Sequence, residues 1–483
     1  MKPLNNINTD ENTNTDIFID KIDEDCSICI DANKTSHIPL LPKELRKSII
    51  SFTWPCLLEL LFVSMISIVN LMMVGHLGAY AISAVGLTTQ PLFIGFSLFM
   101  AFNSGSTALI TRFIGAKDYS LAKKVVSQTL IFSFFLGIIL SLLGVIFSKW
   151  IVLKMGAQAD TLKHADIYMK YMSWGLFFQA IPIAISALLR GVGDTKTPMF
   201  YNIIANILNV IFSYIFINGF LVVPSMGVEG AGIASLIAKA ATFILSIFLF
   251  FRSKIEIIIP FRALFTLDFN MLKRVINIGM GAAGEQLVLR IGLLIFSKLV
   301  ADLGTISFAA HQIGLNILSL TYNIGYALGI AATSFTGISI GEQKPDQAEE
   351  YGNEIRKIGM LISTFLSIIL LIFSRYIISF YTPDKEVIDN ASEILRIFAL
   401  ILPAQTSQLI IAGGLRGAGD TKWPLISTMC GILGVRLVLA TILVNIFKMG
   451  LPGAWIAVAV DQMVRSLLIY LRYKKGNWKE IKV

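Results

Sequence analysis

Long apolar runs and short polar breaks alternate along this chain. From about residue 48 to residue 472 the apolar runs recur at the ~20-residue length that crosses a hydrocarbon core. No water is present in that core, so the backbone must satisfy its own hydrogen bonds in helices unless it lines a cavity. The short polar breaks suit helix hairpins rather than barrel strands. Twelve spans are predicted. Six fall at about 48–74, 82–110, 123–148, 166–189, 197–221 and 227–251. Six more fall at about 271–300, 305–338, 352–374, 393–415, 424–447 and 451–472.

The second six repeat the first. Arg190-Gly-Val-Gly-Asp-Thr-Lys196 returns as Arg416-Gly-Ala-Gly-Asp-Thr-Lys422, 226 residues later. The same offset carries Glu59 onto Glu285, Leu77-Gly78 onto Leu303-Gly304, Gly115 onto Gly341 and Gln179 onto Gln405. After a slip of three residues, Met226-Gly-Val-Glu-Gly-Ala231 meets Met449-Gly-Leu-Pro-Gly-Ala454. A repeat of this length marks two copies of one structural unit. The predicted fold is an all-α membrane protein of twelve transmembrane helices, in two pseudo-symmetric six-helix lobes around a central cavity. The N-lobe is assigned to 43–251 and the C-lobe, with a short basic tail, to 271–483.

Two segments stand outside the lobes. Residues 1–42 are rich in Asn, Thr, Asp and Glu, which predicts a disordered acidic cytoplasmic tail. Its Cys26-Ser-Ile-Cys29 lacks the second ligand pair or βαβ setting that a metal or redox role needs. The inter-lobe linker, 252–270, is basic and apolar around Ile255, Ile257, Ile258 and Ile259, which predicts a cytoplasmic segment at the membrane interface.

Composition agrees with the pattern: 55% of residues are hydrophobic, 15% are charged, and the mean hydropathy is +0.73. Four cysteines are too few for a disulfide framework. The net charge of +9 lies in loops, with no basic run interleaved with aromatics, so no nucleic-acid partner is expected. One set of loops carries Arg112, Lys117, Lys123, Lys124, Arg190, Lys196, Arg252, Lys273, Arg274, Lys344, Arg356, Lys357, Arg416 and Lys422. Both chain ends share that side, with Lys43, Arg46 and Lys47 at one end and Arg472, Lys474 and Lys475 at the other. The positive-inside rule makes this face cytoplasmic, so both termini are expected there in a multi-pass protein of the plasma (inner) membrane. Six spans per half insert both halves in the same sense, with the pseudo-two-fold axis along the membrane normal.

Ionisable residues inside the spans are few, and a charge at mid-bilayer costs about 2.5–3.5 kcal/mol on insertion scales. Glu285, in Gly281-Ala-Ala-Gly-Glu-Gln286, can alternate between a protonated and a charged, cation-binding form, as coupling to H⁺ or Na⁺ requires. The alternative is a structural partner for Arg290 or a nearby amide. Its repeat mate Glu59 is either a second cation-holding carboxyl or an interfacial structural residue. Asn70 lies three turns along from Glu59 on nearly the same face. Asn202, Asn206, Asn209 and Ser213 form a polar stripe on the fifth span, read as cavity lining or as glue between helices. Gln286 and Arg290 are further cavity candidates. Arg436, alone in the eleventh span, is expected to pair with Asp461, which has Arg465 one turn on in the twelfth. His311 reads as a packing residue. Met65, Met72, Met73 and Met100 suit an adaptable apolar wall, or simply face lipid. No phosphate-binding G-x-x-x-x-G-K-[ST] is present, so transport would run on an ion gradient.

These residues together resemble the multidrug and toxic compound extrusion (MATE) family. The resemblance rests on the twin R-G-x-G-D-T-K segments, Val74-Gly-His-Leu-Gly78, Gly281-x3-Glu285-Gln286 and Ala309-Ala-His-Gln-Ile313. It rests also on Gly450-x-x-Gly-Ala-Trp455 and Arg472-x3-Gly476-x-Trp478. It covers about 45–480. It implies a V-shaped central cavity and export of small-molecule drugs or toxic organic cations in exchange for Na⁺ or H⁺, with no other cofactor and as a monomer in the lipid bilayer. Two positions depart from the family pattern: its N-lobe acids are replaced here by Asn70 and Ser213, which shifts the expected coupling to Glu285, with Glu59 the remaining N-lobe acid. Two other readings compete with this one. A lipid-linked saccharide flippase would line its cavity with several arginines or lysines, of which the spans are nearly devoid. An intramembrane aspartyl protease would need Asp194 and Asp420, each in G-x-G-D, to meet at membrane depth, whereas both fall in basic loops and suit helix caps.

Overall fold

A computed structural model describes residues 42–220, 224–253 and 268–481. The acidic tail with Cys26 and Cys29, and most of the linker, lie outside these residues. Among the described residues twelve helices are long and apolar enough to cross a membrane. In chain order they are α1 Pro42–Gly75, α2 Ala79–Gly115, α3 Tyr119–Ile146, α4 Ala159–Gly191, α5 Lys196–Asn218 and α6 Gly227–Arg252. The second half contributes α7 Phe269–Ala301, α8 Thr305–Gly341, α9 Pro345–Ser379, α10 Lys385–Gly417, α11 Lys422–Ile446 and α12 Gly450–Lys474. A short helix, Ser148–Lys154, joins α3 to α4.

The repeat reaches down to single backbone angles. Lys117 (φ 56°) and Gln343 (φ 61°) are left-handed at equivalent positions after α2 and α8. Gly193 (φ 99°) and Gly419 (φ 86°) turn the chain inside the two R-G-x-G-D-T-K segments, a conformation that costs glycine little because it has no Cβ. Side chains repeat too. Thr107 donates to the Ala187 carbonyl at 3.2 Å, and its mate Thr333 to the Gly413 carbonyl at 2.9 Å.

Proline breaks within helices are repaired locally. Pro403 in α10 has no N–H to offer the Ala399 carbonyl four residues back, and Ser367 of α9 donates to that carbonyl at 2.5 Å instead. In α11, Cys430–Arg436 and Ile442–Ile446 widen into π-helical turns. The equivalent helix α5 is regular, so the halves differ here.

The halves meet across α2 and α8, and each half's first helix also packs on the other half: α1 on α8 and α7 on α2. A methyl at Gly337 would strike Thr111, which is its own repeat mate. A methyl at Gly115 would strike the Ile338 carbonyl, and one at Gly341 the Arg112 carbonyl. Equivalent residues that face one another reciprocally define a two-fold axis, here passing between Thr111 and Gly337. Both helices run the same way past it, so the axis lies along them. Leu45, Ile49, Phe52 and Cys56 of α1 bury against Ala327, Leu328, Ala331 and Ala332 of α8. These contacts lie at the end that carries Lys43, Arg112, Lys117 and Lys344, the basic end.

The C-terminal motif folds back on this end. Trp478 is fully buried, stacks on Tyr473 at 5.0 Å and donates its Nε1–H to the Tyr473 carbonyl at 2.8 Å.

Candidate functional site

Helices α4 and α10 each run two residues past the predicted apolar span and end on the first residues of the R-G-x-G-D-T-K turn. This places Arg190 and Arg416 inside the last helical turn rather than in the loop. Each guanidinium then reaches the first helix of its own half. Arg190 Nη2 donates to both carboxylate oxygens of Glu59 at 2.7 Å. Arg416 Nη2 donates to both oxygens of Glu285 at 2.8 Å. The carboxylate side chains are only 8% and 4% exposed, so these are buried, repeat-related ion pairs. Glu285 is thus engaged by Arg416 of α10, and Arg290 lies elsewhere.

The third partner distinguishes the halves. Asn202 donates to Glu59 Oε1 at 2.8 Å. Its mate, Thr428, instead accepts from Arg465 Nη2 at 3.0 Å. Ser334 of α8 links the halves directly, donating to the Arg190 carbonyl at 3.0 Å.

The predicted polar stripe on α5 divides its work. Asn202 serves Glu59. Asn209 accepts from Asn70 at 2.6 Å and donates to Ser235 of α6 at 3.3 Å, so it joins α1, α5 and α6. Asn206 is half-buried and Ser213 buried on the same helix. Gln286 is half-buried beside Glu285. Arg290 lies across the seam, its guanidinium 4.5 Å from the ring centroid of Phe93 on α2.

Arg436 and Asp461 form a fully buried pair, with Nε and Nη2 donating to one carboxylate oxygen at 2.9 and 2.5 Å. The π-helical turn before Arg436 brings Gly431 against Asp461, where only hydrogen fits beside the carboxylate. His311 is packed between Phe296 and Trp455, each ring 5.6 Å away. The G-x-G-D aspartates are each occupied within their own half. Asp194 accepts from the Thr197 N–H at 3.0 Å and caps α5, while Asp420 accepts from Arg472 Nε at 2.9 Å. Among the described residues no group of three His, Cys, Asp or Glu side chains could hold a metal ion.

One residue escaped the sequence reading. Lys239 lies at the middle of α6, with Nζ 5.4 Å from the Phe96 centroid and 3.9 Å from Met172 Sδ. It is the single ionisable residue between Glu229 and Arg252, and that isolation in an apolar run was the available signal.

The MatE family model matches the chain twice, over residues 55–215 and 282–442. A probable multidrug resistance protein NorM of Thermotoga maritima is 27% identical over 445 residues, covering 91% of this chain and 95% of that protein. A NorM of Pasteurella multocida, also described as a probable multidrug resistance protein, is 31% identical over 65% of this chain and 70% of its own length. Among solved structures, the outward-facing conformation of a multidrug resistance MATE family transporter aligns with a TM-score of 0.84 at 24% identity, covering 90% of this chain and 97% of that one. A MOP superfamily transporter from Pyrococcus furiosus aligns equally well, at 23% identity. Two matched copies, twelve helices and two repeat-related lobes agree, and the chain belongs to the MATE family of secondary membrane transporters.

Proposed function

We propose that this protein is a secondary active multidrug efflux antiporter. It exports amphiphilic organic compounds, many of them cationic and aromatic, in exchange for Na⁺ or H⁺ by alternating access. The observation that carries this reading is the reciprocal seam at the basic end. Two like halves touch through Gly115, Thr111, Gly337 and Gly341, and a rocking motion about such a contact exposes the space between them to either side in turn. By the positive-inside rule the basic end is cytoplasmic, so this conformation is closed to the cytoplasm and faces out. Relatives described as multidrug resistance proteins support the substrate class.

Coupling falls to Glu285, with Glu59 as its N-lobe counterpart. Each carboxylate already holds a cation, its own arginine. A proton or Na⁺ that takes the carboxylate releases the arginine, and with it the turn that joins α4 to α5 or α10 to α11. The energy of ion binding is thereby passed to the segments next to the seam. Asn70 and Ser213 replace acids in the N-lobe, which leaves these pairs as the exchangeable sites there and in the C-lobe.

Ethidium export by the purified protein in liposomes, under an imposed pH gradient and then a Na⁺ gradient, tests the reading. One gradient is expected to drive export, and Glu285→Gln to uncouple it. Export that neither gradient drives would overturn the antiporter reading. Export still coupled in Glu285→Gln would return Glu285 to a purely structural role.

A further inference from the structure

Beyond the Glu59–Arg190 pair, the interior of the N-lobe offers no carboxylate to an organic cation among the described residues. Glu59, its one carboxylate next to the polar stripe, is already neutralised by Arg190 and Asn202. Asn70, Asn209 and Ser235 extend the polar row without charge. One turn beyond Ser235, on the same face of α6, stands Lys239. Among the described residues no carboxylate forms an ion pair with it. Its stem packs along Gly175 of α4, where a Cβ would come within 2.7 Å of Lys239 Cδ, and its ammonium is held over Phe96. A second cation arrives at the same turn of α2 from the other half. Arg290 of α7 covers Phe93, three residues from Phe96 on one helical face, and it too has no carboxylate partner among the described residues. Phe93 is 40% exposed, so the α2 turn that carries both rings is not sealed inside packed core.

We propose that the face of α2 around Phe93 and Phe96, flanked by α6 and α7, binds the anionic group of the transported compound, with Lys239 as its principal counter-charge and Arg290 as the second. Aromatic molecules that carry a carboxylate, zwitterions included, are then bound in preference to simple cations of the same ring system. A lysine at membrane depth without a partner is costly, and an incoming carboxylate removes that cost in the bound state alone. The two phenylalanines supply the flat apolar wall for the ring system. The inference rests on the exporter reading and names its substrate class.

Rhodamine 110, a zwitterion with a free carboxylate, and rhodamine 123, its methyl ester, differ at the group in question. Binding of each to the detergent-purified protein is measured by fluorescence anisotropy, without any gradient. Rhodamine 110 is expected to bind about tenfold more tightly, as a charge-assisted hydrogen bond implies. Lys239→Gln should remove that preference by weakening rhodamine 110 while rhodamine 123, itself a cation, binds no less tightly, Lys239→Arg should keep it, and Arg290→Gln should reduce it. Equal binding of the two dyes, tighter binding of the ester, no binding of either, or equal loss of both in Lys239→Gln would overturn the proposal. Elution profile and melting temperature of each variant show whether it is folded, and Lys239→Arg controls for the bulk of the side chain. Gradient-driven export of rhodamine 123 is scored separately in liposomes. Its failure bears on the exporter reading, and the anisotropy result stands apart from it.

Discussion

A carboxylate buried beside an arginine is held by a balance of large opposing terms. Removing one partner leaves the other charged and dry, which costs about 3–5 kcal/mol, whereas removing both can be nearly neutral. Glu285→Gln is therefore expected to lower the melting temperature of the purified protein by several degrees, and Glu285→Gln combined with Arg416→Met to recover most of the loss. Glu59→Gln should cost less, because Asn202 remains to bond the new amide. A calorimetric series of the single and double variants checks both. The sequence made the carboxylates legible through the 226-residue offset, but not their partners. Hydropathy ends the fourth and tenth spans before Arg190 and Arg416 and so leaves both arginines in loops, although each helix runs two residues further and takes its arginine in. Arg436 with Asp461 was legible because α11 and α12 offered so few charges to combine.

Elements are longer than the apolar runs that announce them. Hydropathy sees the hydrocarbon, and caps set the helix. Asp384 accepts from the Glu386 and Val387 N–H groups and starts α10 at Lys385, eight residues before the predicted span at about 393. Asp268 does the same for α7, accepting from the Asn270 and Met271 N–H groups at 3.1 Å. The Met271 N–H, and then Lys124, hold its carboxyl below the usual carboxylate range. A depressed folded-state value stabilises above the ordinary value of about 3.9 and is lost as pH falls through the lowered one. Asp268→Ala should therefore melt earlier than the parent at neutral pH, and the gap should close on acidification below about pH 4. The π-helical winding of α11 had no signature in the sequence, because the repeat predicts a regular copy of α5. Its consequence is sharp at Gly431. Gly431→Ala sets a methyl against the Asp461 carboxylate and the Arg465 stem, and overpacking of this kind costs about 1–3 kcal/mol. Gly434→Ala, in the same turn but facing open space, is the control, and thermal unfolding should separate the two.

At the scale of the molecule, closure of the basic end depends on backbone meeting backbone. Gly341→Ala places a methyl against the Arg112 carbonyl, which cannot rotate away as a side chain would. The halves must then part at that end. Cys56, fully buried where α1 meets α8, reports the change without a new label site. In a background with Cys26, Cys29 and Cys430 replaced by serine, maleimide should modify Cys56 slowly in the parent and several-fold faster in Gly341→Ala. Unchanged labelling would mean that the seam accommodates the methyl without opening. Much of this architecture was legible beforehand, because twelve spans, the repeat and equal insertion of the halves follow from pattern alone. The packing of α1 on α8 and of α7 on α2 across the seam was not, since nothing local in either helix names its neighbour.

The axis between Thr111 and Gly337 also says what kind of object this is. A position that faces its own copy is the mark of a homodimer, so the chain is a fused dimer whose covalent join supplies little more than a high local concentration of one half near the other. Residues 1–253 and 268–483, expressed as separate polypeptides in one cell, should copurify as a stoichiometric pair. Fusion also freed the copies to diverge under one roof: a lysine in one half and a buried arginine–aspartate pair in the other are differences that a true homodimer, bound to write each mutation twice, could never keep.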